Sequence, residues 1–380
     1  MPQNPAGILK KIAERKQTNS FRTLTEFSSA QIDFSSNDYL GFAKSEKIFQ
    51  ETSNLLQRYK NTQNGATGSR LISGTSALTF QTEEKIATFH KAETALLFNS
   101  GYDANIGLLS SVPQRNDLVF FDEFSHASIR DGIKMSFAKS LKFNHNDLND
   151  LAEKIEKHQP HFQQIFIVTE SVFSMDGDQP DLKKLISISE KNNCFLILDE
   201  AHALGVIGKN GEGLAQNQHL EHKIFARIVT FGKAMGVHGA AILGNSTLKE
   251  FLVNFARSFI YTTALPPHSL ASILVAYQAL ETSSAKNKLV ENIQFFKKLV
   301  NDFQLNNYFI SSDSAIQSCI ILGNERVKEL SSTFLTQNFQ VKAILSPTVP
   351  KGKERLRFCI HTYNSKEEIK VALTLLKEQL

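Results

Sequence analysis

Six short runs of unbroken apolar residues punctuate the middle of this chain: Ala95–Phe98, Leu118–Phe121, Ile165–Thr169, Phe195–Leu198, Ile228–Phe231 and Ala240–Leu243. Most do not alternate with polar residues, so they predict strands covered on both faces. Helical patterns lie between them, as over 147–157 and 181–192, and supply the crossovers that parallel strands need. The expected fold class is therefore α/β, with a mostly parallel central sheet and helices on both faces. Ligands of such sheets bind outside the carboxyl ends of the strands.

With 380 residues the chain can bury a large core and form two domains. After about residue 270 the pattern changes: long helices over 267–304, then strands near Cys319–Leu322 and Leu356–Ile360. Ser365 and Glu368 form a capping box before a last helix. We expect an N-terminal segment 1–40, which opens with a short amphipathic helix over 5–16. A large domain 41–270 and a smaller α+β domain 271–380 follow.

A net charge of +4 is too small and too dispersed to predict nucleic-acid binding. No apolar stretch is long enough to span a membrane, and the first ten residues lack the apolar core of a signal peptide. Cys194, Cys319 and Cys359 lie singly in apolar runs, as buried thiols of a reducing compartment do. A cytoplasmic protein is expected. No His/Cys/carboxylate grouping has metal-ligand spacing, so no metal is expected.

Two features stand at predicted strand ends. Asp199 closes the run Phe195–Leu198 and His202 follows three residues later; Lys233 sits just past Ile228–Phe231. An amine and a carboxylate so placed suit pyridoxal phosphate, which needs a lysine for its Schiff base and an acid to keep its ring nitrogen protonated. Taken singly, a lysine after a strand is a solvated charge, an aspartate there is a turn or cap residue, and His202 is a core histidine. Their combination points to the cofactor.

Other strand ends add weaker signals. Ser100-Gly101-Tyr102 opens a helix after a strand, where free backbone N–H groups meet an anion. His126 follows the next strand and either caps a helix or lies flat over a ring. Ser174 sits in the Asp-Gly turn after Ile165–Thr169, within reach of a phenolic oxygen or simply as a turn serine. Gly232-Lys233 is no P-loop, because Ala234 replaces the required Ser/Thr and position 227 is not glycine.

Ser36-Asn-Asp-Tyr-Leu-Gly41, Gly68-Ser-Arg70, Ser125-His-Ala-Ser128, Phe173-Ser-Met-Asp-Gly177, Asp199-Glu-Ala-His202 and Thr230-Phe-Gly-Lys233 run in that order. Together they resemble the α-oxoamine synthases, which are fold-type-I pyridoxal-phosphate transferases, from about residue 5 to the C-terminus. The resemblance implies roles residue by residue. Lys233 is the Schiff-base lysine and acid/base, Asp199 pairs with the pyridine nitrogen, and His126 stacks on the ring. His202 and Ser174 lie near the phenolic oxygen. Gly101, Tyr102 and Thr230 hold the phosphate, and Thr262 reaches the phosphate of a neighbouring subunit, making a homodimer with shared sites. Arg357 holds the amino-acid carboxylate, and Arg22, Asn37 and Thr348 contact substrate.

The stretches 233–241 and 346–357 are most similar to a member that joins L-alanine to a pimeloyl thioester, on coenzyme A or a carrier protein, in biotin biosynthesis. Siblings that acetylate glycine or use serine with long-chain thioesters are the alternatives. Thr79 stands where many relatives have histidine, and Leu345 where some have arginine.

Overall fold

A computed structural model describes residues 4–24, 26, 28 and 30–380. Met1 to Gln3, Thr25, Phe27 and Ser29, all within the expected N-terminal segment, lie outside the described residues. The chain gathers into two compact units. The larger comprises 37–174 and 179–288; the smaller comprises 1–36, 175–178 and 289–380. The helix Pro267–Thr282 belongs to the larger unit, where it packs on the helices Glu46–Arg58 and Ala77–Phe89.

The larger unit is built on a seven-stranded sheet: β1 Thr94–Phe98, β2 Leu118–Asp122, β3 Lys139–Phe143, β4 Ile165–Glu170, β5 Phe195–Asp199, β6 Ala226–Thr230 and β7 Ala240–Gly244. Its spatial order is β1-β7-β6-β5-β4-β2-β3. Every pairing is parallel except those of β7, which runs antiparallel to both β1 and β6.

Side chains alternate across each strand, and each face carries its own core. On one face Val119, Val168, Ile197, Ile228 and Ile242 pack with Leu108, Leu109, Ile129, Ile133, Leu248 and Leu252 from covering helices. On the other, Leu118, Phe120, Ile165, Ile167, Leu196 and Leu198 meet Leu151, Ile155, Leu185 and Ile186. The buried strands are continuously apolar because both faces are covered. Carrying the alternation two residues onward sets the chemistry. Glu170 follows Val168, Asp199 follows Ile197 and Thr230 follows Ile228, so three polar side chains leave the carboxyl ends of β4, β5 and β6 on the same face.

In the smaller unit, Arg355–Cys359 is the middle strand of an antiparallel sheet, between Ile316–Ile320 and Lys342–Ile344. Helices Asn324–Thr336 and Lys366–Gln379 accompany it, the latter opened by the expected Ser365/Glu368 capping box. The chain's two ends meet here. Ile32–Asp33 pairs in parallel with Phe339–Gln340, and the Cys359 amide donates to the Phe34 carbonyl at 2.8 Å. The Arg355 guanidinium, almost wholly buried, donates to the Asp176 carboxylate.

Candidate active site

The carboxyl ends of β4, β5 and β6 open into a cavity of about 240 Å³ within the larger unit. Asp199 anchors its floor and is buried. Its Oδ2 accepts the Asn105 amide N–H at 2.8 Å and its Oδ1 accepts the Ala201 backbone N–H at 2.9 Å. Asn105 comes from the second turn of the helix Gly101–Ser111 and also donates to Ser128 Oγ at 3.1 Å. Two N–H donors thus converge on this carboxyl, one on each oxygen. An anion here suits a positively charged ring nitrogen.

That same helix starts at the rim. Ser100 caps it by accepting the Asp103 amide at 3.1 Å, and the first-turn amides have no intrahelical partners. Thr230 faces this turn from the end of β6, and its hydroxyl oxygen is buried with no partner among the described residues. Gly101 is required by the close approach, because a Cβ there would lie 2.4 Å from Thr230 Cγ2. Amides, a helix dipole and an orphaned hydroxyl make a receptor for phosphate. The Tyr102 side chain turns away to donate to Asp131 at 2.8 Å, so its contribution to an anion is the backbone amide.

Lys233 lies in the tight connection from β6 to β7. That connection is closed by bonds from Phe231 N–H to the Gly239 carbonyl and from Gly236 N–H to the Lys233 carbonyl. Gly236 has φ 65°, and a Cβ there would come 2.2 Å from the Ala43 amide nitrogen, so only glycine lets this loop sit on the Phe42–Ala43 backbone.

His126 takes up the helix-cap position of Ala127–Met135, its Nδ1 receiving the Ser128 amide at 3.3 Å, and its ring borders the cavity. The crevice walls push its pKa below the ordinary imidazole value, with Lys233 adding to the fall and Asp199 opposing it. His202 is buried, its Nδ1 2.8 Å from the Tyr39 hydroxyl, which in turn donates to Asn37 Oδ1 at 3.1 Å.

The sequence profile of the aminotransferase class I and II family matches residues 29–376. The chain belongs to that family. Within the aminotransferase class I and II family it is an α-oxoamine synthase. It is similar to an 8-amino-7-oxononanoate synthase of Emericella nidulans, 38% identical over 92% of this chain and 89% of the relative. A putative 8-amino-7-oxononanoate synthase of Methanocaldococcus jannaschii is 35% identical over 96% of this chain and 95% of its own. Among solved structures, an 8-amino-7-oxononanoate synthase from Francisella tularensis superposes with TM-score 0.79 at 31% identity, covering 93% of this chain and 98% of that one. A serine palmitoyltransferase from S. paucimobilis shares the fold with TM-score 0.88 at 24% identity, covering 98% of this chain and 96% of that one.

In this α-oxoamine synthase, Asn37, Gly101, Tyr102, His126, Asp199, His202, Thr230 and Lys233 all line the one cavity. Ser174 and Thr262 are not among its lining residues. Thr262 borders a separate small void, where its Oγ1 accepts the Asn99 amide N–H at 2.9 Å. Arg22, Thr348 and Arg357 belong to the smaller unit. Arg22 Nη2 donates to Thr348 Oγ1 at 3.1 Å, and Arg357 is buried on the strand Arg355–Cys359. Asn105, Ser128, Glu170 and His238 also line the cavity and were not singled out from the sequence. Asn105 lies one helical turn beyond Gly101 and Glu170 directly follows the run Ile165–Thr169, but neither position alone signals a partnership with Asp199.

Proposed function

We propose that this chain is a pyridoxal-phosphate-dependent C-acyltransferase that condenses L-alanine with a pimeloyl thioester. The products are 8-amino-7-oxononanoate, carbon dioxide and free thiol, a step of biotin biosynthesis. The convergence of Lys233, Asp199 and His126 on one cavity, beside a phosphate receptor, supports the cofactor most directly. The 35–38% identical relatives support the choice of substrates.

The residues present fit the cofactor. The Gly101 and Tyr102 amides and Thr230 Oγ1 would hold its phosphate, Asp199 its ring nitrogen, the His126 ring one face, and Lys233 its carbonyl carbon. When bound, pyridoxal phosphate supplies a sink for the electron pair left at a substrate α-carbon. Asp199, held in place by two donors, would sustain the positive charge that makes the sink effective. Lys233 Nζ takes the α-proton and later returns one. His126, with its pKa held down, presents an uncharged ring face at neutral pH. Arg357, with Arg22, Asn37 and Thr348, is assigned to substrate carboxylate and acyl groups. His202, steadied by Tyr39, and Ser174 are assigned to the phenolic oxygen.

We also assign the chain to a cytoplasmic homodimer in which Thr262 serves the neighbouring subunit's phosphate. Exposed apolar side chains support it: Tyr261 beside Thr262 in sequence, and Leu71, Ile72 and Phe80, whose neighbours Arg70, Gly74 and Thr79 border the same small void as Thr262. Among the described residues no helix is long and apolar enough to cross a membrane.

A panel of L-alanine, glycine and L-serine against pimeloyl, acetyl and palmitoyl thioesters, scored by thiol release, tests the assignment. The highest kcat/KM is expected for L-alanine with the pimeloyl thioester. Preference for glycine with acetyl or serine with palmitoyl would transfer the chain to a sibling activity.

A further inference from the structure

Glu170 ends β4 and Asp199, its register partner, ends β5. Both side chains leave the sheet on the face of Val168 and Ile197, and both are almost fully buried. Two carboxyls so placed are not both ionised without a large penalty, and a proton settles on the one less well supplied with donors. The supply is unequal. Asp199 receives one N–H on each oxygen, from Asn105 and Ala201. Glu170 receives, among the described residues, the His126 backbone N–H alone, at 2.6 Å on Oε1. Glu170 also lines the cavity.

We propose that Glu170 is the proton-carrying member of a carboxyl pair with Asp199 and a positioning residue for His126. Kept neutral, it leaves the negative charge of the pair on Asp199 alone, under the ring nitrogen. Its Oε1 meanwhile fixes the backbone from which the stacking imidazole projects. The proposal rests on the cofactor assignment above only for what the Asp199 charge serves.

The charged groups facing Glu170 agree with this. Burial pushes its pKa up to about 8; Asp199 on β5 and Asp122 on β2 add to the rise, while Lys233 and the His126 amide oppose it. An acid raised in this way keeps in the folded state a proton that the unfolded chain has released. Stability therefore falls as pH rises from the ordinary glutamate value of 4.5 to about 8.

Infrared spectra of the full-length holoenzyme across neutral pH read the proton directly. A protonated-carboxyl carbonyl band is expected at neutral pH in the wild type, fading as pH passes about 8 and missing from Glu170→Gln. Absence of the band from the wild type, or its persistence in Glu170→Gln, overturns the proposal. If Glu170→Gln fails to fold, the wild-type titration still decides. In denaturation of cofactor-free chain, the wild type should lose stability relative to Glu170→Gln as pH climbs through the same window; parallel curves overturn it. Glu170→Gln, which retains an acceptor for His126, should also keep the induced dichroism of bound pyridoxal phosphate, and Glu170→Ala should lose at least half of it. Equal loss in both variants counts against the positioning role. None of these readouts needs amino acid or thioester, so their failure is distinct from failure of the substrate assignment.

Discussion

At the scale of single residues, the site depends on donors that hold charges in place. Asn105 bonds an ionised partner inside the protein, an interaction worth about 1.5–3 kcal/mol. Asn105→Ala is expected to weaken pyridoxal phosphate binding by roughly 10- to 100-fold, read by fluorescence titration of cofactor-free protein. An unchanged affinity would mean that Asp199 holds its charge without Asn105. A second residue-scale prediction concerns His90, which is fully buried with its Nε2 2.9 Å from the Tyr277 hydroxyl. Burial holds its pKa well below 6.5, with Arg227 adding to the fall. Below pH 6.5 the unfolded chain takes up a proton that the folded chain refuses, so stability is present above that value and drains away beneath it. Denaturation midpoints should fall on acidification in the wild type and fall less steeply in His90→Gln.

Among the elements, the junction of the helix Gly101–Ser111 with β6 matters most. Gly101→Ala places a methyl 2.4 Å from Thr230 Cγ2, so the first helical turn must move away from the strand end. We expect pyridoxal phosphate to bind more weakly while pyridoxal, which lacks the phosphate, binds as before; calorimetry of both ligands separates the two. The sequence made six of the seven large-sheet strands legible because burial on both faces demands unbroken apolar runs. The seventh, Lys139–Phe143, is an edge strand with mostly exposed, polar positions, and solvent leaves no apolar signature on such a segment. Site residues divide the same way. Asp199 and Lys233 announced themselves by standing at the ends of apolar runs, whereas Thr230 came only from the family resemblance. Asn105 lies inside a helix, and its partnership with Asp199 spans 94 positions, a distance fixed by packing and invisible to local pattern. Glu170 directly follows the run Ile165–Thr169, yet its pairing with Asp199 needs the strand register, which only the sheet supplies.

For the whole molecule, the smaller unit is held by groups far apart in the chain. Arg355 is 2% exposed and Asp176, its ionic partner, 9%. Asp176→Ala would strand a buried guanidinium and is expected to cost about 3–5 kcal/mol, seen as a lowered midpoint in urea, whereas a pair of little worth would leave the midpoint in place. The same long reach has a bearing on how the polypeptide is made. Ile32–Asp33 must wait for Phe339–Gln340, more than three hundred codons later, and Phe34 waits for Cys359. During translation Ile32 and Phe34 therefore leave the ribosome without their mates while the broad sheet assembles, and the smaller body can knit together only after Cys359 has emerged.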